Sequence, residues 1–286
     1  MNLTSLDLYS NNVFVARFDC EPDGTSPFLL VDESGLGAET IVQRYVMESA
    51  SGEQFYDLTV PSRTISLQMI LNPNFEIGES IDELRSKLYK AIASSQTSLV
   101  ELRFNNGGSV FAHIYGFITK FDSPRFSKTI SASIEIKATT ELLAPTLTTV
   151  TVNDSHAMIV DSNSNAPHGC IISCTLLNTC PEIRFTPGVS DSSVPPEETG
   201  KLYFVLTNLF MTDDILTISS MVNDKYVTLT RGGVVTHIAD LIYNGSVWPT
   251  LYPGTNELVA RTWIGGAEFD RCRIDTVKYY ATYWGV

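Results

Sequence analysis

Hydrophobic and polar residues alternate with a period of two along most of the chain, a pattern typical of β-strands with one buried face. In the segment 129–139, apolar side chains occupy every second position, and Ser, Glu and Lys occupy the positions between them. The segment 64–71 alternates in the same way, with Ile65 and Leu67 on its apolar face. The pattern therefore predicts a mainly β protein.

One segment, 80–94, departs from this alternation and predicts a single α-helix. It opens with the capping-box sequence Ser80-Ile81-Asp82-Glu83. In such a box, the Ser80 hydroxyl accepts a hydrogen bond from the Glu83 amide, and the Glu83 carboxylate accepts one from the Ser80 amide. Leu84 and Leu88 then share one helical face.

An abrupt break at Leu142–Pro145 divides the pattern into two parts. Residues 1–143 are predicted to form a β-rich domain with the helix, and residues 144–286 an all-β domain. Many short strands separated by turn signals favour a β-sandwich for the second domain. The polar segment 188–200 is predicted to be a surface loop.

Charge excludes some partners. Residues 1–143 contain 11 basic and 18 acidic side chains, and residues 144–286 contain 8 and 14, which gives the net charge of −13. Neither half has a basic stripe, so specific nucleic-acid binding is not expected. No run of about 18 apolar residues predicts a membrane span, and the first residues lack the features of a secretory signal.

The five cysteines predict free thiols in a reducing compartment, because their number is odd and no secretory signal is seen. Cys170, Cys174 and Cys180 with His168 could be drawn as a zinc cluster, but their spacing matches no familiar ligand pattern. Cys170 and Cys174 would also share one face of a strand. Buried thiols and no metal are therefore expected.

Other candidate chemistry is weak. Asp154-Ser155-His156 suggests a nucleophile and a base, but adjacent residues of an extended chain point to opposite faces. Asp161–Asn165 begins like a calcium loop, yet Ala166 stands where Gly is needed and Ile172 where Glu is needed. No nucleotide-binding motif is present. The sequence thus predicts no catalytic, metal or cofactor site and no enzyme.

Three aromatic residues of the second domain, Trp248, Tyr252 and Trp263, could stack on a sugar ring. In a β-sandwich, such residues also serve as core or rim packing. Both alternatives stay open at this point.

The order and spacing of several segments resemble those of siphophage distal tail proteins over nearly the whole chain. In the first half these are the strand 64–71, the Asn-Pro break after it, the helix 81–94 and a long strand that ends in Leu-Ala-Pro. In the second half they are Trp248-Pro249, the segment 251–258 with its Pro-Gly turn, Val277–Tyr280 and Trp284-Gly285-Val286.

The resemblance implies an N-terminal, tail-tube-like domain that forms a hexameric ring, and a C-terminal galectin-like or carbohydrate-module-like β-sandwich. The ring would join the tail tube to the baseplate hub at the virion tail tip and let DNA pass without specific binding. Implied partners are five further copies, the tail tube protein, the baseplate hub protein and, in some relatives, receptor-binding proteins or side fibres. Assembly in the host cytoplasm is implied, and neither a cofactor nor a membrane is.

A ring needs strands or arms that neighbouring copies complete across each interface. The hairpin formed by Asn105, Asn106, Gly107 and Gly108 is one candidate, because Asn-Gly and Gly-Gly steps favour tight hairpin turns. The long strand 129–139 is another. The alternative to a structural hub is a module that binds a host saccharide during adsorption.

Overall fold

The computed structural model describes residues 3–21, 26–37, 41–45, 54–59, 62–124, 130–139, 141–186, 204–221, 224–264 and 267–283. The predicted loop 188–200 lies outside these residues. The chain divides into two compact units. The first comprises Met1–Pro145 with Tyr283–Val286, and the second comprises Thr146–Thr282. The mainly β composition is confirmed, with one α-helix among the described residues.

The first unit is built around a closed seven-stranded β-barrel. The described strands of the first unit are β1 (Ser5–Ser10), β2 (Val13–Asp19), β3 (Phe28–Ser34), β4 (Ile41–Tyr45), β5 (Gln54–Thr59), β6 (Arg63–Leu71), β7 (Val100–Asn106), β8 (Ser109–Asp122) and β9 (Ser131–Ala138). Of these, β4 and β5 form a hairpin that is separate from the barrel. The barrel order is β7-β1-β2-β3-β6-β9-β8, and β8 pairs with β7 to close it. β2 and β3 pair in parallel, through Asp19 and Leu29.

The barrel core consists of the apolar faces that alternation predicts. Ile65 and Leu67 of β6 are fully buried, and so is Ile134 of β9. Each side chain alternates with a more exposed neighbour, as the pleat of a strand requires.

The helix α1 (Ile81–Ser95) packs against β2, β6 and β8. Its capping box is present: the Glu83 amide donates to Ser80 Oγ at 3.2 Å, and the Ser80 amide donates to Glu83 Oε2 at 2.8 Å. Leu84 and Leu88 are buried on the face toward the barrel. The predicted helix and its start are therefore confirmed. A short 3-10 helix, Phe75–Ile77, precedes it.

The second unit contains two main sheets. Its strands are β10 (Leu142–Asp154), β11 (His156–Asp161), β12 (His168–Gly169), β13 (Ile171–Leu176), β14 (Cys180–Phe185), β15 (Phe204–Phe210), β16 (Ile215–Met221), β17 (Asp224–Arg231), β18 (Val234–His237), β19 (Thr250–Leu251), β20 (Gly254–Ile264), β21 (Ala267–Phe269) and β22 (Cys272–Tyr283). One sheet has the order β18-β17-β16-β13-β22-β10, and the other β11-β20-β14-β15, with β21 beside β20. The first four residues of β10 belong to the first unit.

A single buried cluster takes side chains from both sheets of the second unit. Ile172 and Ile218 come from the first sheet, and Ile183, Phe204 and Leu258 from the second. All five are fully buried. Two sheets that share one core in this way form a β-sandwich. The small pair of β12 and β19 lies outside both sheets.

Candidate functional surfaces

The predicted hairpin at Asn105–Gly108 is present as the turn between β7 and β8. Gly107 and Gly108 have φ angles of 57° and 88°, in the left-handed region that glycine adopts without strain. Asn106 and both glycines are exposed. Their role in a ring interface stays a prediction.

Asn105 differs from the rest of this hairpin because it is only 3% exposed. Its side-chain amide donates to Ser5 Oγ at 3.2 Å. Its carbonyl accepts from the Thr4 amide at 2.9 Å and from Thr4 Oγ1 at 3.0 Å. Asn105 therefore anchors the start of β1 within its own chain. The part of the hairpin accessible to another chain is Asn106–Gly108.

The described part of the predicted strand 129–139 does not offer a free edge. Its described strand, β9, pairs with β6 from Ser131 to Ala138 and with β8 from Ser133 to Ala138. The idea that a neighbouring copy completes this strand is therefore wrong for β9, because barrel closure uses both of its edges. Sequence alternation reports which side chains are buried, but it does not reveal which strands become neighbours.

Carboxylates neutralise most basic side chains that the structure describes in the first unit. Arg17 binds Asp7 with two hydrogen bonds of 2.7 and 2.9 Å, and Arg103 binds Glu101 with two of 2.9 Å. The hydrogen bond to Asp7 raises the pKa of Arg17. Ion pairs with carboxylates also hold Arg85, Lys87 and Lys120.

A cleft of about 160 Å³ lies between α1 and the strands β2 and β3. Val15, Phe28, Leu84 and Leu88 contribute its apolar lining. It is located beside the parallel contact between β2 and β3, where a single residue pair joins the two strands.

The described residues contain no helix long and apolar enough to span a membrane.

Trp248 packs on the core of the second unit. Its ring lies 4.9 Å from that of the buried Phe204, at an interplanar angle of 40°. Lys225 Nζ lies 5.6 Å from its ring centroid, within cation–π range. These contacts favour the packing alternative over sugar stacking for Trp248.

Tyr252 is 43% exposed and belongs to a rigid turn. The buried side chain of Asn256 accepts from the Tyr252 amide at 2.7 Å and donates to the carbonyls of Tyr252 and Gly254 at 2.7 and 3.2 Å. Gly254 has a φ of 98°, which explains the Pro-Gly sequence of the turn. The backbone of Trp263 pairs with Glu268, and its side chain lies outside the description. Sugar binding at this face stays a prediction.

Asp154-Ser155-His156 does not form a nucleophile–base arrangement. Ser155 Oγ lies 3.4 Å from Asp154 Oδ1 and 3.3 Å from Asp270 Oδ1. His156 Nε2 instead pairs with Glu257 at 2.7 Å. His156 thus pairs with Glu257 rather than with Ser155, whereas the adjacent side chains of Asp154 and Ser155 contact each other, so the expected opposite directions do not describe that pair.

The cysteines of the second unit are free and buried, as expected. Burial raises the pKa of Cys170 to about 12 and that of Cys180 to about 11. A hydrogen bond with Cys272, followed by burial, raises the pKa of Cys174. Within the described ranges, no group of three or more His, Cys, Asp or Glu residues could hold a metal ion.

The structure also joins two residues that the sequence had placed in separate, imperfect motifs. Asp161 Oδ2 and His168 Nε2 face each other at 3.4 Å, and both side chains are nearly inaccessible to solvent. Asp161 stood in the mismatched calcium loop and His168 in the mismatched zinc cluster. In the sequence, the polar turn between the two residues is the feature that indicates that they could lie close together.

No protein-family model matches this sequence, and no match was found among curated proteins. Among solved structures, the crystal structure of the SPP1 Dit (gp 19.1) protein has a TM-score of 0.61 at 13% sequence identity. The alignment covers 97% of this chain and 98% of that protein. The chain therefore shares the fold of that protein.

Two structures of the phage p2 baseplate in its activated conformation are less similar. The one with Sr has a TM-score of 0.44 at 10% identity and covers 97% of this chain and 98% of its own. The structure with Ca has a TM-score of 0.46 at 9% identity, and the alignment covers 98% of this chain and 97% of that chain. Scores at this level do not support an argument about fold or function.

Proposed function

We propose that this protein is a structural distal tail protein of a long-tailed phage, forming a hexameric ring that connects the tail tube to the baseplate or tail-tip hub. The observation that carries the proposal is the shared fold with the SPP1 Dit protein over nearly the full length of both chains. That protein is described as a paradigm of the hub adsorption apparatus in phages that infect Gram-positive bacteria. The proposed location is the virion tail tip.

In this proposal, residues 1–143 form the ring and residues 144–286 form a galectin-like sandwich that binds further tail-tip proteins. The closed barrel with one helix supports the first assignment. The two sheets around one core support the second. The proposed partners are five further copies, the tail tube protein and the baseplate hub protein, with receptor-binding proteins or side fibres as further candidates.

The charge distribution supports passage of DNA through such a ring without specific binding. Affinity for DNA rises with the number of phosphates that Lys and Arg neutralise. In the first unit, five basic side chains are already paired with carboxylates. The net charge of −13 per chain adds repulsion toward a polyanion.

Light scattering of the purified protein, with negative-stain imaging of the same peak, tests the ring. The expected particle has six times the chain mass of 31.5 kDa and a central hole. Because a partner can template assembly, a monomer is then mixed with the tail tube and hub proteins of the same phage. A chain that remains monomeric in both mixtures would overturn the proposal.

A pair of variants tests the hairpin tip as part of the interface. Asn106→Arg places a long charged side chain beside the exposed Gly107–Gly108 turn and is expected to prevent ring formation without changing the melting temperature. Thr236→Arg, on the exposed strand β18, is the matched control and is expected to leave the ring intact. Ring formation by Asn106→Arg would remove this hairpin from the interface.

A further inference from the structure

The sequence contains two Asn-Gly steps, Asn106-Gly107 and Asn244-Gly245, and all four residues are exposed. Such a step is open to a reaction that needs no enzyme, because glycine carries no Cβ that would hinder its amide nitrogen. That nitrogen can attack the side-chain carbonyl carbon of the asparagine before it. The reaction depends on what holds the amide and the surrounding backbone, and the two steps differ in both respects.

The Asn106 step is held in place. Asn106 pairs with Ser109 across the hairpin of β7 and β8. The Gly107 amide donates to Thr4 Oγ1 at 3.1 Å, and Thr4 is itself bonded to the Asn105 carbonyl through its amide and its hydroxyl. The nitrogen that would attack Asn106 is therefore engaged, and the backbone around it belongs to the barrel ladder.

The Asn244 step is held less firmly. Asn244 and Gly245 lie between the second 3-10 helix and β19, in a turn, residues 243–246, in which the Ser246 amide donates to the Tyr243 carbonyl at 3.0 Å. Gly245 has a φ of 94°, and no acceptor for its amide is found among the described residues. The nitrogen beside Asn244 is thus available for attack. This segment is called the Asn244 turn below.

The Asn244 turn covers the outer edge of β15. In the part of the chain that the structure describes, β15 pairs with β14 on one side and is the last strand of its sheet. On the outer side, the Tyr243 amide donates to the Val205 carbonyl at 2.9 Å, and the Val205 amide donates to Ser246 Oγ at 3.1 Å. A bridge between Leu206 and Ile242 lies next to these bonds. Open strand edges are sites of association between chains, so this turn protects an edge.

We propose that Asn244 is a site of spontaneous deamidation, and that the isoaspartate product releases the outer edge of β15. In the first step, the Gly245 nitrogen loses its proton and bonds to Asn244 Cγ, the Cγ–Nδ2 bond breaks, and Nδ2 leaves with that proton as ammonia. In the second step, water adds to the cyclic imide and opens one of its two C–N bonds, which gives aspartate or isoaspartate. The inference does not depend on the proposed function, since the turn and β15 both belong to the second unit.

The isoaspartate form changes the turn because its main chain runs through Cβ and Cγ of residue 244. The link between Tyr243 and Ser246 then becomes one carbon atom longer, whereas the bonds of both residues to Val205 fit the original length. We therefore expect the Val205 amide to lose its bond to Ser246 Oγ in the isoaspartate form. The aspartate product keeps the original main chain and should keep this bond.

Incubation of the full-length protein in a mildly alkaline buffer, followed by peptide mapping with mass spectrometry, tests the site. Asn244 is expected to deamidate about fivefold faster than Asn106, the factor that corresponds to the net contribution of one hydrogen bond. Thr4→Val removes the acceptor of the Gly107 amide and should speed the reaction at Asn106 without changing that at Asn244. Asn244→Gln places the amide on a longer side chain, which forms a cyclic imide far more slowly, and is the unreactive control.

Hydrogen exchange of the Val205 amide tests the consequence. The isoaspartate fraction is expected to exchange this amide faster than the fresh protein does, and Ser246→Ala, which removes its acceptor, should show the same increase. Asn244→Asp, which carries the charge without the longer main chain, and incubated Asn244→Gln should show none. Deamidation of Asn244 no faster than that of Asn106, or unchanged exchange of the Val205 amide in the isoaspartate fraction, would overturn the proposal.

Discussion

Gly116 lies where the barrel closes, and replacing it with alanine tests how tightly that closure is packed. It belongs to β8 and pairs with Val100 of β7 on one side and Ala138 of β9 on the other. A Cβ atom at Gly116 would lie 2.6 Å from the Lys137 carbonyl oxygen and 2.8 Å from Ile136 Cγ2. Ordinary contact begins at 3.4 Å, so the backbone of β9 has to retreat by about 0.8 Å, the difference between 3.4 and 2.6 Å.

The cost follows from what restrains β9. Overpacking a well-ordered interior costs about 1–3 kcal/mol. We expect about 3 kcal/mol for Gly116→Ala, because the main obstacle is backbone and β9 is hydrogen-bonded on both edges. For a unit of about 150 residues, this corresponds to a fall in melting temperature of about 6–12 °C.

The matched control is Gly37→Ala in the same unit. Nothing lies within 4 Å of a Cβ at Gly37, and its φ is outside the left-handed region. We expect this variant to melt within about 2 °C of the wild type, since a compatible Gly→Ala change is neutral or slightly stabilising. Calorimetry gives the melting temperatures, and hydrogen exchange locates the loosened strands. Equal melting temperatures for the two variants would refute the argument that β9 cannot move.

Three further predictions concern packing, a turn and the thiols. Leu88→Ala enlarges the apolar cleft beside α1, and we expect the free energy of unfolding, measured with urea, to fall by about 3–5 kcal/mol. A fall below about 1 kcal/mol would mean that the helix moves to fill the space left by the leucine side chain. Asn256→Ala removes the three hydrogen bonds of the buried Asn256 side chain, and we expect the free energy of unfolding to fall by about 2–4 kcal/mol. Asn256→Asp should regain stability in acid, where a protonated carboxyl can donate, and a stability of Asn256→Asp that does not change with pH would contradict the described bonds. Because burial raises the pKa of Cys170 and Cys180, both thiols should react with a disulfide reagent at pH 8 only after unfolding, and rapid reaction of the native protein would show that the core opens.

Local features of the fold are predictable from the sequence because their causes are local. The capping box at Ser80–Glu83 and the two-glycine turn at Gly107–Gly108 depend on residues only a few positions apart. The buried face of β6 follows from alternation alone. Barrel closure, by contrast, joins β8 to both β7 and β9, and the parallel contact of β2 with β3 brings Asp19 to Leu29. Such pairings depend on the relative stability of whole arrangements of strands, which a local pattern does not contain.

The candidate surfaces show the same limit. The sequence predicts that Trp248 can bury a large apolar surface, because it is aromatic. Its contact with Phe204 depends on the position of β15 in the folded sandwich, which the sequence pattern does not predict. Asp161 and His168 are seven positions apart and fit neither a calcium loop nor a zinc cluster. They meet because β11 joins one main sheet while β12 pairs with β19, so the intervening turn folds back on itself.

Closure of the barrel restricts how copies of this chain can associate. Each strand of the barrel already has two neighbours in the same chain, so hydrogen bonding along a free strand edge is not the natural route. Association then has to use side chains and turns, such as the exposed Asn106–Gly108 tip. The weakest junction in the barrel is that of β2 and β3, where one residue pair, Asp19 and Leu29, joins the strands. Elsewhere on the same strands the apolar side chains of Val13, Phe14 and Val31 are exposed. In the proposed ring, burial of these apolar side chains would supply a driving force for association that offsets the mutual repulsion of acidic chains.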